Sequence, residues 1–305
     1  MLKKYQEILL LLLALIPVFW MGYFLYPNGK MDTSMISKKY TDTPYASDSL
    51  SQKLDIFLPE KWDGPYPVIV AIHWGGFSMG SKESDDLTPM LKGIRYGFAV
   101  VTVNYRLTQE APFPAALLDI QKSLQYLRKN AQKYNINPNT IVLWGDSAGG
   151  NLAALAGVIW KKEENTQVSA VVDWFWPIDF STMDSEFQAL WITPSMWKTS
   201  SPDSFASKYI WKTIGTKEAQ ELVKRSNPST FISSNTPPFL IEHGTNDTNV
   251  PITQSENFSK KLELVLWKDT VHFIPIEWAG HGGDSFETQN NLNIVFSFID
   301  KYTSK

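Results

Sequence analysis

The chain of 305 residues contains no cysteine, and this absence excludes several kinds of chemistry. Disulfides, thiolate nucleophiles and metal centres built on cysteine are all ruled out. Histidine is scarce as well, with four residues and no HExxH or HxH spacing, which argues against a histidine-rich metal site. They are His73, His243, His272 and His281. We therefore expect no metal ion and no organic cofactor, and any catalysis must come from hydroxyls, carboxylates and these few imidazoles.

An excess of positive charge is also lacking. The 28 lysines and arginines face 31 aspartates and glutamates, for a net charge of -3, so no basic footprint for nucleic acid is present. With 43% hydrophobic and 19% charged residues, the composition is that of a globular protein. The length fits one large α/β domain.

One segment has no charge of either sign. Residues 8–26 read ILLLLLALIPVFWMGYFLY, and nineteen helical residues span about 28 Å, close to the hydrocarbon thickness of a bilayer. Residues 1–30 are therefore predicted to be a membrane anchor or an export signal. The end of the apolar run carries large aromatic residues instead of a small-residue cleavage site, which favours an uncleaved anchor. We expect a membrane-anchored protein with an extracytoplasmic catalytic domain. The alternative is secretion after cleavage.

Beyond a polar tether predicted at 31–50, the pattern of the chain indicates an α/β fold. Apolar strand-like runs alternate with longer amphipathic stretches, as in βαβ units with a mostly parallel sheet. Strands are predicted at 54–58, 68–73, 99–104, 140–144, 170–175, 239–242 and 272–277, and helices at 85–96, 114–134, 148–160, 217–225, 253–268 and 285–302. Residues 51–305 are thus expected to form a sheet of about eight strands with helices on both faces. A tryptophan-rich stretch at 179–225 interrupts the alternation and predicts a small helical cap insertion.

A G-x-S-x-G motif at 145–149 carries the first chemical signal. The motif follows a predicted strand and opens a predicted helix. Ser147 is therefore placed on a sharp strand-to-helix turn, where a G-x-S-x-G motif exposes a nucleophilic serine. A serine that merely caps the helix would account for the hydroxyl but not for the paired glycines.

A serine nucleophile needs an imidazole base, which a carboxylate orients. In this fold the chain order is serine, acid, histidine. His281 lies in a small-residue loop after the last predicted strand and is the expected base, whereas His243 and His272 are expected to be structural. Asp247 follows the preceding strand and is the expected acid, although an aspartate in a turn is often only a turn former. The aspartates set aside because of their positions are Asp146, Asp179, Asp184, Asp203, Asp269 and Asp284.

The run HWGGF at 73–77 predicts an oxyanion hole. Backbone N–H groups of Gly75 and Gly76, together with that of Ala148, are expected to receive the charge that develops on an ester carbonyl. His73 precedes the serine and is expected to brace this loop. Trp74 is a candidate for the wall of the substrate pocket.

These motifs, with NYRLTQEAPFPAALLD at 104–119 and HGTNDTNVP at 243–251, resemble the α/β-hydrolase fold. More narrowly, the chain is similar to the carboxylesterase/lipase group related to hormone-sensitive lipase and to bacterial feruloyl- and acetyl-esterase-like members. The family loop usually reads His-Gly-Gly-Gly, and Trp74 departs from it. The resemblance implies an esterase without cofactor that acts on short-chain or carbohydrate-linked (acetyl or feruloyl) esters, of small molecules or polysaccharides. A peptidase of the same fold and a non-catalytic binding protein are the alternatives.

Overall fold

Eight strands form one sheet in the computed structural model, which describes residues 29–267 and 269–304. The strands are β1 (Lys39–Pro44), β2 (Lys53–Phe57), β3 (Tyr66–Ile72), β4 (Ala99–Val103), β5 (Ile136–Asp146), β6 (Ala170–Trp174), β7 (Phe239–Gly244) and β8 (Val271–Ile276). Their order is β1-β2-β4-β3-β5-β6-β7-β8. The two pairings that involve β2 are antiparallel and the other five are parallel. The predicted mostly parallel sheet of about eight strands is confirmed.

Alternation along the central strands builds a core on each face of the sheet, because successive side chains of a strand point to opposite sides. In β3, Val68, Val70 and Ile72 belong to one buried cluster, while Ile69 and Ala71 belong to the other. All five side chains are fully buried. A strand that is apolar at every position therefore needs helices on both sides, as parallel sheets generally do.

Ten α-helices lie in the part of the chain that the structure describes. They are α1 (Thr88–Leu91), α2 (Ala115–Lys129), α3 (Ala131–Tyr134), α4 (Ala148–Val158), α5 (Met183–Ala189), α6 (Phe205–Ile210), α7 (Gln220–Ser226), α8 (Thr253–Glu263), α9 (Asp284–Glu287) and α10 (Gln289–Thr303). Buried residues of α2, α4 and α8 pack in one core, and those of α1 and α10 pack in the other. Helices α5, α6 and α7 lie in the long connection from β6 to β7, where the cap insertion was predicted.

The segment expected to be a tether, 31–50, is largely part of the folded domain. Met31 is buried, and its N–H donates to the Glu83 carbonyl at 2.9 Å. Strand β1 pairs with β2 at the edge of the sheet, and Tyr45 beyond it is buried, with its hydroxyl donating to the Asn104 carbonyl at 2.6 Å. The tether prediction is corrected accordingly, because edge pairing satisfies backbone groups without requiring an apolar pattern.

The apolar run at 8–26 lies outside the described residues. Within the part of the chain that the structure does describe, no helix combines the length and apolar character needed to cross a membrane.

Parallel strands bring the predicted functional residues to one edge of the sheet. The loop with Gly75 follows β3, Ser147 follows β5, Asp247 follows β7 and His281 follows β8. Because the carboxyl ends of parallel strands share an edge, side chains far apart in sequence meet there.

Candidate active site

Ser147 occupies a strained turn between β5 and α4. Its backbone has φ 49° and ψ -117°, a positive φ that serine rarely adopts. A Cβ at Gly145 would lie 2.2 Å from the carbonyl oxygen of Gly149, and a Cβ at Gly149 would lie 2.0 Å from that of Ile72. Neither position has room for a side chain, so both glycines of the motif are required by the close approach of backbone to backbone.

Ser147, His281 and Asp247 form a chain of hydrogen bonds. The Ser147 Oγ lies 2.8 Å from Nε2 of His281, and Nδ1 of the same ring lies 2.7 Å from Oδ2 of Asp247. An ionised carboxylate only accepts, so Nδ1 carries the hydrogen and Nε2 is left to accept from the serine hydroxyl. The three residues singled out from the sequence therefore lie together in the geometry of an activated nucleophile.

Asp247 is buried and held on both oxygens. Its Oδ1 accepts from the backbone N–H groups of Asn249 at 2.7 Å and Val250 at 2.9 Å. Burial alone would raise the pKa of this carboxyl, but the facing His281 and the hydrogen bonds from His243 and His281 outweigh burial and hold the pKa below its ordinary value. The group is therefore a carboxylate at neutral pH, as orientation of the imidazole requires.

His243 supports the acid, a role the sequence did not reveal. Its Nε2 lies 3.2 Å from Oδ2 of Asp247 and 3.0 Å from the Val250 carbonyl, and its Nδ1 lies 2.7 Å from the Ser255 hydroxyl. The ring is fully buried at the end of β7. The available signal was its position four residues before the expected acid, at the same strand end.

Phe175 supports the base from another side. Its ring meets the His281 imidazole edge-on, with centroids 4.9 Å apart and an interplanar angle of 63°. Phe175 directly follows β6 and has a positive φ of 41°. Sequence analysis attached no function to it, because an apolar residue at a strand end is more often only part of the core.

The loop after β3 brings Gly76 to the wall of the cavity that Ser147 and Ala148 also line. Gly75 and Gly76 have φ values of 110° and 57°, and a Cβ at Gly76 would lie 2.5 Å from the Phe205 ring. Ala148 begins α4, where the first backbone N–H groups have no partner within the helix. Donors of this kind stabilise a developing oxyanion when they are fixed in advance.

His73 braces this loop and has no part in the hydrogen-bonded chain. Its ring is buried and stacks on Tyr105 with centroids 4.4 Å apart, and Nδ1 donates to the Trp74 carbonyl at 2.7 Å. Burial lowers the pKa of His73 to about 4, so the ring is neutral. The Tyr105 hydroxyl in turn donates to the His73 carbonyl at 3.0 Å.

A small apolar cavity opens at the serine. It measures about 80 Å³ and is bordered by Gly76, Ala148, Ser147 and His281 on the sheet side. The cap side contributes Met183, Phe187, Met196, Trp197 and Phe205. Trp74, the candidate for the wall of the substrate pocket, does not line this cavity and borders a second one. Among the described residues no cluster of three or more histidine, aspartate or glutamate side chains is arranged to hold a metal ion.

Comparison with known proteins shows the family of the chain. The BD-FAE family profile matches residues 54–262, more than half of the chain. The chain belongs to the BD-FAE family. This BD-FAE chain is 26% identical to "Esterase LipC" of Mycobacterium tuberculosis over 250 residues, which are 78% of the chain and 58% of that protein. It is also 26% identical to "Probable carboxylic ester hydrolase LipM" of the same organism, over 80% of the chain and 56% of that protein. The chain thus spans little more than half the length of these curated relatives.

Similar solved structures show that this chain has the α/β-hydrolase fold. A "Truncated form of carbohydrate esterase from gut microbiota" superposes with a TM-score of 0.78 at 27% identity, covering 91% of this chain and 100% of that one. A "Bifunctional GH43-CE" from Bacteroides eggerthii superposes with a TM-score of 0.76 at 28% identity, covering 87% of this chain and 35% of that one.

Proposed function

We propose that the protein is a serine carboxylic-ester hydrolase that acts through Ser147, His281 and Asp247. The observation that carries the proposal is the continuous hydrogen-bonded chain from hydroxyl to imidazole to buried carboxylate, at a strained strand-to-helix turn. Membership of the BD-FAE family and the names of the curated relatives support the same activity.

The proposed reaction begins with acylation of the serine. The Ser147 oxygen attacks the ester carbonyl carbon while its proton passes to Nε2 of His281. The resulting oxyanion is held by the N–H groups of Gly75, Gly76 and Ala148. His281 then gives its proton to the departing alcohol, leaving an acyl-enzyme. A water molecule that His281 deprotonates attacks the acyl carbon, the bond to the serine oxygen breaks, and that oxygen recovers the proton.

The acyl part of the substrate is short in this proposal. The cavity at the serine is apolar and about 80 Å³ in volume, and one water molecule requires about 10–15 Å³ of such space. The cavity therefore has room for a short acyl chain, an acetyl group included. Because one of the similar solved structures is described as a carbohydrate esterase, we propose acetyl and related esters of carbohydrates as the substrate class.

The test combines labelling with mutation of the serine. A fluorophosphonate probe should label the wild-type protein and not Ser147→Ala, and this variant should hydrolyse p-nitrophenyl acetate at least about a thousandfold more slowly. Ser234→Ala, which removes an exposed surface hydroxyl, is the matched control and should behave like the wild type. Absence of labelling in the folded wild type would favour a non-catalytic protein, and undiminished turnover in Ser147→Ala would refute the assignment of the nucleophile.

We also propose that residues 1–30 anchor the protein and that the catalytic domain lies outside the cytoplasm. Support comes from the nineteen residues at 8–26, which carry no charged side chain and would be strongly stabilised in lipid. Membrane fractionation followed by N-terminal sequencing tests this proposal. A mature chain that begins beyond Tyr26 would mean a secreted enzyme.

A further inference from the structure

Phe205 is the first residue of α6 and borders two cavities. One, the inner cavity, is the small apolar cavity at Ser147. The other, the outer cavity, measures about 410 Å³ and lies between α6, residues 78–79 of the loop after β3, and residues 108–109. Among the described residues, Phe205 alone lines both. The two cavities therefore meet at this side chain.

The ring of Phe205 lies against the backbone of the loop after β3. A Cβ at Gly76 would lie 2.5 Å from two of its ring carbon atoms, so the ring fills the space that a side chain at position 76 would need. Ser204, which precedes Phe205, caps α6 by accepting from the Ser207 N–H at 3.0 Å. This cap fixes where the helix begins. The ring is thereby held as a partition between the space beside Ser147 and the outer cavity.

The polar groups in the wall of the outer cavity are bonded to one another. The indole N–H of Trp211 donates to the Thr108 carbonyl at 2.8 Å, and the side-chain amide of Gln109 donates to the Ser78 carbonyl at 2.8 Å. The hydroxyl groups of Ser78 and Thr108 lie 2.8 Å apart and share a hydrogen bond. What remains to contact a ligand is mainly hydrocarbon.

The apolar part of this wall comes from Met79, Phe205 and Trp211. Lys208, its charged member, is exposed and keeps its ammonium group in water. Such a wall favours an alkyl or aromatic chain over a polar ligand. Moving one methylene group from water onto an apolar wall favours binding about fourfold, so two such groups are worth about fifteenfold.

We propose that Phe205 sets the length of the acyl chain that the enzyme accepts, by closing the inner cavity against the outer one. The inference rests on the proposed esterase function and on the acyl chain occupying the inner cavity. With the ring in place, the chain must end within about 80 Å³. With the ring removed, a longer chain runs on into the outer cavity and contacts Met79 and Trp211. Phe205 is thus a residue that determines specificity.

The experiment keeps the alcohol constant and varies the acyl chain. Full-length wild type, Phe205→Ala and Phe205→Leu are assayed with p-nitrophenyl acetate and p-nitrophenyl hexanoate. The quantity compared is the ratio of kcat/KM for the hexanoate to kcat/KM for the acetate. An effect of the substitution on the oxyanion donors acts on both esters and cancels in this ratio. Phe205 is only partly buried, so both variants should fold, which circular dichroism checks.

A double substitution tests whether the outer cavity is reached. Trp211→Ala removes part of the outer wall and leaves the inner cavity intact, because Trp211 lines only the outer one. It is made in the wild type and in Phe205→Ala. Trp267→Ala, which removes another exposed tryptophan, is the matched control in both backgrounds.

We expect the wild type to prefer the acetate. The ratio should rise about tenfold or more in Phe205→Ala, as expected when at least two further methylene groups are buried, and should rise less in Phe205→Leu. Trp211→Ala should keep the wild-type ratio but reduce the gain of Phe205→Ala about threefold or more. Trp267→Ala should change neither.

Ratios unchanged within about twofold in both Phe205 variants would overturn the inference while leaving the esterase proposal intact. A wild type that hydrolyses the hexanoate as well as the acetate would do the same. A gain in Phe205→Ala that Trp211→Ala does not reduce would overturn the part played by the outer cavity. Failure of the folded wild type to hydrolyse either ester would instead refute the proposed function.

Discussion

Replacing Asp247 by asparagine tests the tautomer of the base with almost no change in shape. Oδ1 of Asp247 accepts two backbone hydrogen bonds, from Asn249 and Val250. The amide of an asparagine must therefore keep its oxygen on that side, since the opposite orientation would leave two N–H donors facing an NH₂ group, at a cost of about 1–3 kcal/mol each. Its NH₂ group then points at His281 and His243, in place of an oxygen that lies 2.7 Å from Nδ1 of His281.

The imidazole must respond by accepting at Nδ1. The ring hydrogen then sits on Nε2, and the nitrogen 2.8 Å from the Ser147 hydroxyl can no longer take its proton. In serine hydrolases this exchange costs about 10⁴ in kcat, which is about 5 kcal/mol of transition-state stabilisation. We expect a loss of that size in the hydrolysis of p-nitrophenyl acetate at pH 8, with an unchanged circular dichroism spectrum.

Asp284→Asn is the matched control, because Asp284 is exposed and begins α9, three residues after His281. It should retain activity within about threefold, as expected for a surface carboxylate whose charge acts through solvent. Retention of a tenth or more of the activity in Asp247→Asn would refute the tautomer argument. A large loss in Asp284→Asn alone would show that the acid had been assigned to the wrong residue.

Two further predictions concern stability. Burial raises the pKa of Glu242 to about 7 from an ordinary value of 4.5, so the folded protein keeps a proton that the unfolded chain releases, and stability falls as the pH rises between these values. The variant Glu242→Gln can still accept the hydrogen bond from Asn291. It should raise the free energy of unfolding in urea by up to about 3 kcal/mol at pH 8 and leave it nearly unchanged at pH 4.5. A loss of stability at pH 8 would show instead that the fold stabilises the carboxylate. The variant Gly149→Ala places a methyl group 2.0 Å from the Ile72 carbonyl oxygen, so it should lower the melting temperature by several degrees or prevent folding. In the control Gly280→Ala the methyl group meets no atom within 4 Å and should be tolerated. Equal melting temperatures for the two variants would contradict the close approach at Gly149.

The sequence was most informative where chemistry is tied to local order along the chain. Ser147 was predictable because two glycines, a preceding strand and a following helix all occur within a few residues. Asp247 and His281 followed from their order after strands, since parallel strands end at the same edge. The geometry that joins these three side chains lies in tertiary structure, and only the structure could supply its distances.

Elements without an apolar pattern were missed. Strand β1 has mostly exposed side chains and an irregular register near Asp42, which has φ 51°, so no alternation marked it as a strand. The single helix predicted at 114–134 divides at Asn130, whose side-chain amide donates to the Tyr126 carbonyl at 2.8 Å, a bond that competes with helical hydrogen bonding. The second cavity, which Trp74 borders, was not predicted for a different reason, because its wall residues Asp86 and Asp146 are sixty positions apart in the chain.

The docking of Gly29 and Met31 limits how the domain can be carried. The Gly29 carbonyl accepts from the Asp85 N–H at 3.1 Å, and only two residues separate Gly29 from Tyr26 at the end of the apolar run. Even fully extended, that link spans only about 10 Å. If the apolar run lies in a bilayer as proposed, this short link keeps the catalytic domain next to the membrane surface. One side of the domain would then face the lipid. The distance from the membrane at which a substrate can be hydrolysed would be set by the size of the domain and by the direction in which the cavity at the serine opens.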